Sequence, residues 1–344
     1  MKIAQIAPII ERVPPEKYGG IERIVYVLTE ELVQRGHEVT LFASGDSITS
    51  AKHFAAYPRA LRGGVGDDYY GKIMLSMLNL GAAYKMHEQF DIIHDHNDAL
   101  SLAIAEMVET PVVITKHGAF SEEAKIVYKN FKRSFVVTIS DFQKKAAPDA
   151  NHIATIYNGL EMEEYPFSDN DDGYLLFVGR ISKEKGLHHA INVAEALGLK
   201  LIIAAKADKA DEEYFEKIKP RFKGNIEWIG EVDGKRRNEL FSRAICSLHP
   251  VDWPEPFGLT LIEAMACGCP VIAFDRGSIP EIIQDKITGF VVKNEEEMAA
   301  RVKDIRSISR ERCRKYALEN FNSKKMVDQY EKIYQEILSQ QNER

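Results

Sequence analysis

Residues 254–273, which read PEPFGLTLIEAMACGCPVIA, carry two glutamates eight positions apart. Glu255 stands between two prolines, so its backbone is held extended and outside any helix. Helical periodicity begins near Gly258 and stops at Gly268, and an apolar strand follows. Glu263 therefore lies on the helix, two turns beyond the first glutamate. The backbone amides at the start of this helix suit a phosphate, while two unrelated surface glutamates are the alternative.

The length and composition favour two folded domains without a membrane span. At 344 residues the chain is long for one core, and its 45% apolar and 28% charged residues are typical of globular proteins. The net charge of −7 argues against nucleic acid as a partner. No apolar run approaches the roughly 20 residues that cross a bilayer, and the first residues read as a strand rather than a signal peptide. The four cysteines predict buried thiols and a reducing, cytoplasmic location.

Strand and helix patterns alternate along the chain, which predicts parallel sheets with right-handed crossovers. Strands are predicted at 3–7, 39–43, 92–93, 112–115, 135–139, 154–157, 174–179, 200–204, 226–229, 246–249 and 271–274. The most polar break is 168–173, where we place a linker. We predict an N-terminal Rossmann-like domain over 1–167, a C-terminal Rossmann-like domain over 174–318, and a C-terminal helix in 319–344 that packs back on the first domain. The predicted fold class is α/β, with a deep cleft between the domains where ligands gather.

Two further segments carry residue types that bind phosphate. Gly19 and Gly20 precede the first long helix, where the backbone can approach a ligand at the positive helix end, although a simple turn is the plainer explanation. Arg180 and Lys185 follow the first strand of the second domain. Arginine offers a fork for two oxygens and lysine a point charge, so the pair predicts a diphosphate clamp, with a solvated basic loop as the alternative.

The motif His94-Asp95-His96 follows a short strand and contains residue types that bind metals. We expect the two histidines to point to opposite faces of the strand, so that they do not chelate one ion. The sequence therefore predicts no metal site here.

Together these pieces resemble retaining glycosyltransferase family 4, which has the two-domain GT-B fold, along nearly the full chain. The resemblance is carried by the motifs Gly19-Gly20-Ile21-Glu22, Asp91-Ile92-Ile93-His94-Asp95-His96, Asn158-Gly159, Phe177-Val178-Gly179-Arg180, Lys183-Glu184-Lys185-Gly186, and the E-x7-E element from Glu255 to Glu263 with Ala264 to Ile272. The last block is very specific, and the others occur in the family's order and spacing.

The resemblance implies a retaining hexosyltransferase that moves a sugar from a nucleoside-diphosphate sugar, of the UDP-glucose or GDP-mannose kind, to a hydroxyl acceptor. No cofactor and no metal are implied, because the chain has no D-x-D pair at an apolar strand end to hold a divalent ion. Arg180 and Lys185 would then hold the diphosphate and stabilise the leaving group.

The resemblance also implies a role for each remaining site residue. In the family pattern Glu255 contacts hydroxyls of the donor sugar and Glu263 contacts those of the ribose, and ionised carboxylates suit such diols. His96 would face the sugar near its anomeric carbon, and His117 is a weaker candidate for the same cleft. Donor binding would be completed by Gly19, Gly20, Phe257, Gly258 and Leu259.

Other functions and partners stay open at this point. A sugar-nucleotide epimerase or a glycoside phosphorylase is compatible with the same fold, although such epimerases lack the E-x7-E block, and a non-catalytic sugar-nucleotide binder is a third alternative. The expected partners are a nucleotide sugar and a sugar, lipid or small-molecule acceptor, with a monomer or weak homodimer as the assembly. Lys125, Lys129, Lys132 and Arg133 share a helix face, so peripheral contact with the inner face of the membrane is an alternative to a solvated surface.

Overall fold

The computed structural model describes residues 1–17, 19–62, 64 and 68–342. The chain divides into two units, the first formed by Met1–Glu161 with the segment from Ser323 onward, and the second by Met162–Asn322.

The second unit begins earlier than residue 174, and the segment predicted as a linker belongs to it. The guanidinium of Arg314 donates to the carbonyl oxygens of Glu163 and Tyr165, at 2.9 and 2.8 Å. Arg310 donates to the carbonyl oxygen of Ser168 at 2.7 Å. These bonds tie the polar segment to the last helix of the unit, and a composition break does not reveal them.

The first unit contains a seven-stranded, all-parallel sheet in the order β3-β2-β1-β4-β5-β6-β7. Its strands are β1 (Lys2–Ile6), β2 (Glu38–Phe42), β3 (Lys52–Phe54), β4 (Ile92–Asp95), β5 (Val112–Lys116), β6 (Phe135–Thr138) and β7 (His152–Thr155). Its first helices are α1 (Gly20–Gln34), α2 (Tyr69–Lys85), α3 (Leu102–Ala105), α4 (Glu122–Asn130) and α5 (Asp141–Ala146). The inner strands β4 and β5 are buried along their whole length, as expected for a parallel sheet covered on both faces.

The second unit contains a six-stranded, all-parallel sheet in the order β10-β9-β8-β11-β12-β13. Its strands are β8 (Tyr174–Arg180), β9 (Lys200–Lys206), β10 (Ile226–Gly230), β11 (Cys246–His249), β12 (Val271–Phe274) and β13 (Gly289–Val292). Its helices are α6 (Leu187–Leu197), α7 (Glu212–Ile218), α8 (Gly234–Arg243), α9 (Leu259–Ala266), α10 (Ile279–Ile282), α11 (Glu295–Asp304) and α12 (Arg310–Asn320). All four cysteines are buried free thiols in this unit.

Both sheets contain a reversal of strand order, which is a feature that marks ligand-binding positions in parallel sheets. In each, the strand order reverses beside the first strand of the unit, between β1 and β4 and between β8 and β11. Open parallel sheets bind their ligands at the carboxyl ends of the strands beside such a reversal. The segments that follow β1, β4, β8 and β11 are therefore where functional side chains are expected.

The C-terminal helix α13 (Ser323–Asn342) packs on the first unit, against α1. Arg35 at the end of α1 donates to Asp328 and to Glu331, at 2.6 and 2.5 Å. The buried hydroxyl groups of Tyr330 and Tyr334 reach β5 and β4. Both polar and apolar contacts thus hold the last helix on the sheet of the unit where the chain begins.

Candidate functional site

A sharp turn after β8 brings its loop against the segment that follows β11. Lys183–Lys185 form a short 3-10 turn, and Gly186 then adopts a left-handed conformation with φ of 69° before α6. A Cβ atom on Gly186 would lie 1.8 Å from the carbonyl oxygen of Pro250, so only glycine allows this approach. The amide of Asp252 donates to the carbonyl oxygen of Glu184 at 2.8 Å. The two loops are therefore in backbone contact.

Glu255 lies at the centre of this contact, and its side chain is buried. Its Oε2 atom accepts from Lys185 Nζ at 2.7 Å and from Trp253 Nε1 at 3.0 Å. His249 Nε2 lies 3.5 Å from the same oxygen, and Lys185 Nζ lies 4.7 Å from the centre of the Trp253 ring. Burial acts to raise the pKa of Glu255, but Lys185 and His249 outweigh it and bring the pKa from 4.5 down to about 2. The group is a carboxylate at neutral pH.

Glu263 is the fifth residue of α9, a little over one turn into the helix, and is almost fully buried. Its Oε1 atom is 2.7 Å from the guanidinium of Arg237 on α8. Gly258 precedes α9 with φ of 87°, and Leu259 is its first residue. The Phe257 ring packs into the interior of the unit. Of the predicted donor-binding residues Phe257, Gly258 and Leu259, only main-chain groups are therefore suited to bind an anion. The E-x7-E element therefore presents two carboxylates, each beside a cation, on either side of a helix start.

Arg180, at the end of β8, is engaged by two carboxylates of its own unit. It pairs with Glu184, and its Nε atom lies 3.3 Å from Asp211 Oδ2. A diphosphate would have to compete with these two side chains for the guanidinium. The predicted clamp thus has both cations in place, each already paired with an acid.

Three histidines of the first unit, His94 in β4, His96 just after it and His117 just after β5, lie in one hydrogen-bonded cluster that includes Gln5. His96 Nε2 donates to Gln5 Oε1 at 2.8 Å, because an amide oxygen only accepts, and His96 Nδ1 then accepts from His117 Nε2 at 2.9 Å. His94 bonds Tyr334 and Thr115, at 2.6 and 2.7 Å.

All three histidines are neutral at neutral pH. Burial lowers the pKa of His94 and His96 well below 6.5, and burial with the Lys116 charge lowers that of His117 to about 3.

The expectation that His94 and His96 point to opposite faces is wrong. Alternate residues of a strand share one face, and the two rings lie 4.1 Å apart in a tilted stack. Every ring nitrogen of the pair nevertheless has a hydrogen-bond partner from the protein. The motif therefore builds a hydrogen-bonded network.

The glycine pair after β1 forms a tight entry into α1. Gly19 has φ of 147°, and a Cβ atom there would lie 2.6 Å from Pro15, whereas Gly20 is already helical. Glu22 in the first turn is buried and accepts from the amide of Glu11 at 3.3 Å. Burial raises the pKa of Glu22 from 4.5 to about 7. The turn thus places a titratable carboxyl group directly behind the glycines.

Comparisons with known proteins agree with this architecture. A model described as Glycosyltransferase Family 4 matches residues 18–164, and one described as Glycosyl transferases group 1 matches residues 161–320. The chain belongs to glycosyltransferase family 4. This family 4 enzyme is 25% identical to an uncharacterized glycosyltransferase of Methanocaldococcus jannaschii, and the alignment covers 86% of this chain and 87% of that protein.

Solved structures show the same fold as this family 4 glycosyltransferase. Sucrose-phosphate synthase from Thermosynechococcus elongatus superposes with a TM-score of 0.82 at 19% identity, covering 98% of this chain and 99% of that one. Anabaena HepE in complex with UDP and glucose gives a TM-score of 0.76 at 19% identity, covering 98% and 100%. The predicted family and GT-B fold are therefore confirmed.

Several residues that contact the predicted site residues of this glycosyltransferase were not identified from the sequence. Trp253 and His249 contact Glu255, and Arg237 contacts Glu263. Gln5 gave one readable signal, since it is a polar residue in the middle of an apolar strand. Trp253 is only two positions from Glu255, but Lys185, His249 and Arg237 lie on other elements, so no local pattern reveals those three partners.

The basic surface near α4 carries its own counter-charges. Lys125 pairs with Glu122 at 2.7 Å, and Arg133 pairs with Glu109 at 2.7 Å. Within the described residues, no helix combines the length and the apolar character that crossing a membrane requires.

Proposed function

We propose that this glycosyltransferase moves a sugar, with retention of anomeric configuration, from a nucleoside-diphosphate sugar to a hydroxyl acceptor without a metal ion. The observation that carries the proposal is the ion pair between the buried Glu255 and the half-buried Lys185 beside Trp253, at the carboxyl ends of β8 and β11. This is the strand reversal of the second unit, where ligands of open sheets bind.

The donor is assigned from the chemistry of the paired groups. Glu255 is a carboxylate at neutral pH, and it can exchange its bonds from Lys185 and Trp253 for bonds from sugar hydroxyls. Lys185, released from this pair, is then available to a diphosphate oxygen. Glu263, held by Arg237, would accept from the ribose hydroxyls, and the main chain at residues 257–259 would add neutral donors.

The ligands of Anabaena HepE support the donor class. That protein was solved with UDP and glucose, the two parts of a nucleotide sugar. Uridine, guanosine and adenosine donors are equally compatible with the residues described above, so the proposed donor is a class and not a single compound.

Metal independence is proposed because two cations of the protein could take over the electrostatic role of a metal. Lys185 and Arg180 both follow β8, and each can neutralise charge on the leaving diphosphate. In the proposed step, the bond from the anomeric carbon to the phosphate oxygen breaks as the acceptor oxygen bonds on the same face. The acceptor's hydroxyl proton passes to the departing phosphate oxygen, so no residue need form a covalent intermediate.

On the first unit, we assign His96 the role of a partner of the sugar, for which it would exchange one of its bonds with Gln5 and His117, and we assign His117 the role of an auxiliary residue. Both imidazoles are neutral because their pKa values are lowered, so in this proposal they act as hydrogen-bonding groups and not as general acids. We place the enzyme in the cytoplasm, acting on a sugar, lipid or small-molecule acceptor, with peripheral membrane contact as a variant of the same proposal.

Turnover of nucleotide sugars in EDTA tests the proposal. The parent protein should release nucleoside diphosphate and free sugar from one donor of a panel, and early proton NMR spectra should show the donor's anomer. Glu255→Gln and Lys185→Met should lose at least 100-fold in rate, while Glu216→Gln, which alters an exposed pair on α7, should match the parent. Epimerisation of the donor without release, tight binding without turnover, or the opposite anomer would each reject it.

A further inference from the structure

A second cluster of side chains lies on the second unit, outside the residues assigned to the donor. His188 and His189 occupy the first turn of α6, and Asp252 follows β11. One nitrogen of each ring and one carboxylate oxygen all lie within 4.8 Å of one another. The backbone contact between the β8 and β11 loops, which Gly186 permits, brings them together.

The hydrogen bonds around the two rings orient one nitrogen of each toward Asp252. His189 Nε2 lies 3.0 Å from Asp252 Oδ2, and His188 Nε2 lies 3.7 Å from the same oxygen. The opposite nitrogens are held from behind, since His188 Nδ1 lies 2.9 Å from the Tyr214 hydroxyl and His189 Nδ1 bonds Glu295. Metal-binding histidines are typically held in this way, with the far nitrogen bonded to a carboxylate or another oxygen.

We propose that His188, His189 and Asp252 bind one divalent transition-metal ion, with Zn²⁺ the ion that this ligand set suits best. Two imidazoles and one carboxylate are ligands that Zn²⁺ accepts, and three protein ligands leave its fourth position to water. Zinc–ligand distances of about 2.0–2.2 Å require donor atoms roughly 3.3–3.6 Å apart. The separations of 3.0 and 3.7 Å from Asp252 lie on either side of this range, and all three donor atoms lie within 4.8 Å of one another, so side-chain rotations would complete the site.

The charge around the cluster also favours a cation. Asp252 and Glu295 flank His189 from two sides, and both side chains reach solvent in part, so an ion has access. On binding, each Nε2 atom gives its lone pair to the metal and any proton there is released, while Glu295 retains the proton on the far nitrogen of His189. A positive ion would therefore offset the negative charges of Asp252 and Glu295.

The consequence of the ion is structural. It would tie the first turn of α6 to the loop after β11, and these two segments flank Lys185 and Glu255. Sugar transfer does not pass through this metal, so the inference does not depend on the proposed function. A bound ion stabilises the folded chain by mass action.

Zinc binding by the full-length chain tests the inference. Protein stripped with EDTA and dialysed is titrated with ZnCl₂ in a calorimeter, and its thermal unfolding is followed with and without the ion. The parent should bind one ion per chain and unfold at a higher temperature with zinc. His189→Gln and Asp252→Asn should bind at least 100-fold more weakly, and Glu295→Gln about 10- to 100-fold more weakly.

A matched control separates this site from general histidine binding. His53→Gln removes an exposed histidine on β3 of the other unit and should bind zinc as the parent does. Far-UV circular dichroism and zinc-free unfolding temperatures identify any variant that is misfolded, and His188→Gln provides a second ligand variant. The inference is overturned if the parent binds no ion stoichiometrically, if folded ligand variants bind as tightly as the parent, or if the control loses as much affinity as they do.

Discussion

Replacing Glu255 by glutamine removes the buried negative charge that pairs with Lys185 in the second unit. In the parent, Oε2 of this residue accepts from Lys185 and Trp253, and the pKa of its carboxyl group is about 2 against 4.5 in an exposed chain. Because the folded pKa is the lower one, this carboxylate stabilises the fold at every pH above about 4.5. The stabilisation is lost as the pH falls through the interval from 4.5 to 2.

The size of the effect follows from the same two pKa values. At roughly 1.4 kcal/mol per pH unit, the interval from 4.5 to about 2 corresponds to about 3 kcal/mol. We therefore expect Glu255→Gln to lower the free energy of unfolding of the second unit by about 3 kcal/mol at pH 7. The difference from the parent should shrink steadily below pH 4.5.

Tryptophan fluorescence during urea unfolding measures this change selectively. Both tryptophans of the chain, Trp228 and Trp253, lie in the second unit, so their signal reports on that unit alone. Glu216→Gln is the matched control, because its carboxylate lies in an exposed pair, and it should change stability by less than about 0.5 kcal/mol. A loss below about 1 kcal/mol at pH 7, or one that persists unchanged at pH 3, would refute the reasoning.

Three further perturbations test other parts of the structure. Because the pKa of Glu22 is raised from 4.5 to about 7, the folded parent holds a proton that the unfolded chain has lost, and its unfolding free energy should fall by about 3 kcal/mol between pH 4.5 and 8. Glu22→Gln should abolish this fall, and urea titrations at pH 5 and 8 would detect the difference. Tyr334→Phe removes a 2.6 Å bond to a buried histidine and should cost about 1–2 kcal/mol by urea unfolding; an unchanged value would contradict it. Gly186→Ala should destabilise the fold by about 2–3 kcal/mol more than Gly198→Ala. Both glycines have a left-handed backbone, but only a Cβ atom at Gly186 would clash with a backbone oxygen, that of Pro250. Equal unfolding temperatures of the two variants would contradict this prediction.

The fold was largely predictable because its inner strands are short apolar runs between helical patterns. The edge strands were less so. β3 consists of Lys52, His53 and Phe54, all exposed, so hydrophobic patterning carries no signal there. β13 is short and begins at Gly289, a residue unfavourable in strands, and it forms only by pairing with β12. β7 begins at His152, two residues before the predicted strand, because only its pairing with β6 defines its start.

The candidate site was predictable in its residue types and not in its pairings. The prolines around Glu255 and the helix that follows are local features, and the structure has them as the sequence indicates. Lys185 is 70 positions away from Glu255, and their 2.7 Å contact depends on the neighbouring positions of β8 and β11 in the sheet. The pairing of Arg180 with the carboxylates of Glu184 and Asp211 was not predicted either, since the sequence indicated only a diphosphate clamp or a solvated basic loop.

Binding of a nucleotide sugar, compared with its nucleoside diphosphate, tests the central claim most directly. Calorimetric titrations in EDTA would compare the parent, Lys185→Met and Glu255→Gln for the donor that turns over. The lysine variant should bind both ligands at least 10-fold more weakly, because both carry the diphosphate. The glutamine variant should lose affinity for the sugar nucleotide alone, since its lysine is freed for the diphosphate. If both variants bind both ligands as tightly as the parent, this pair is not the donor site.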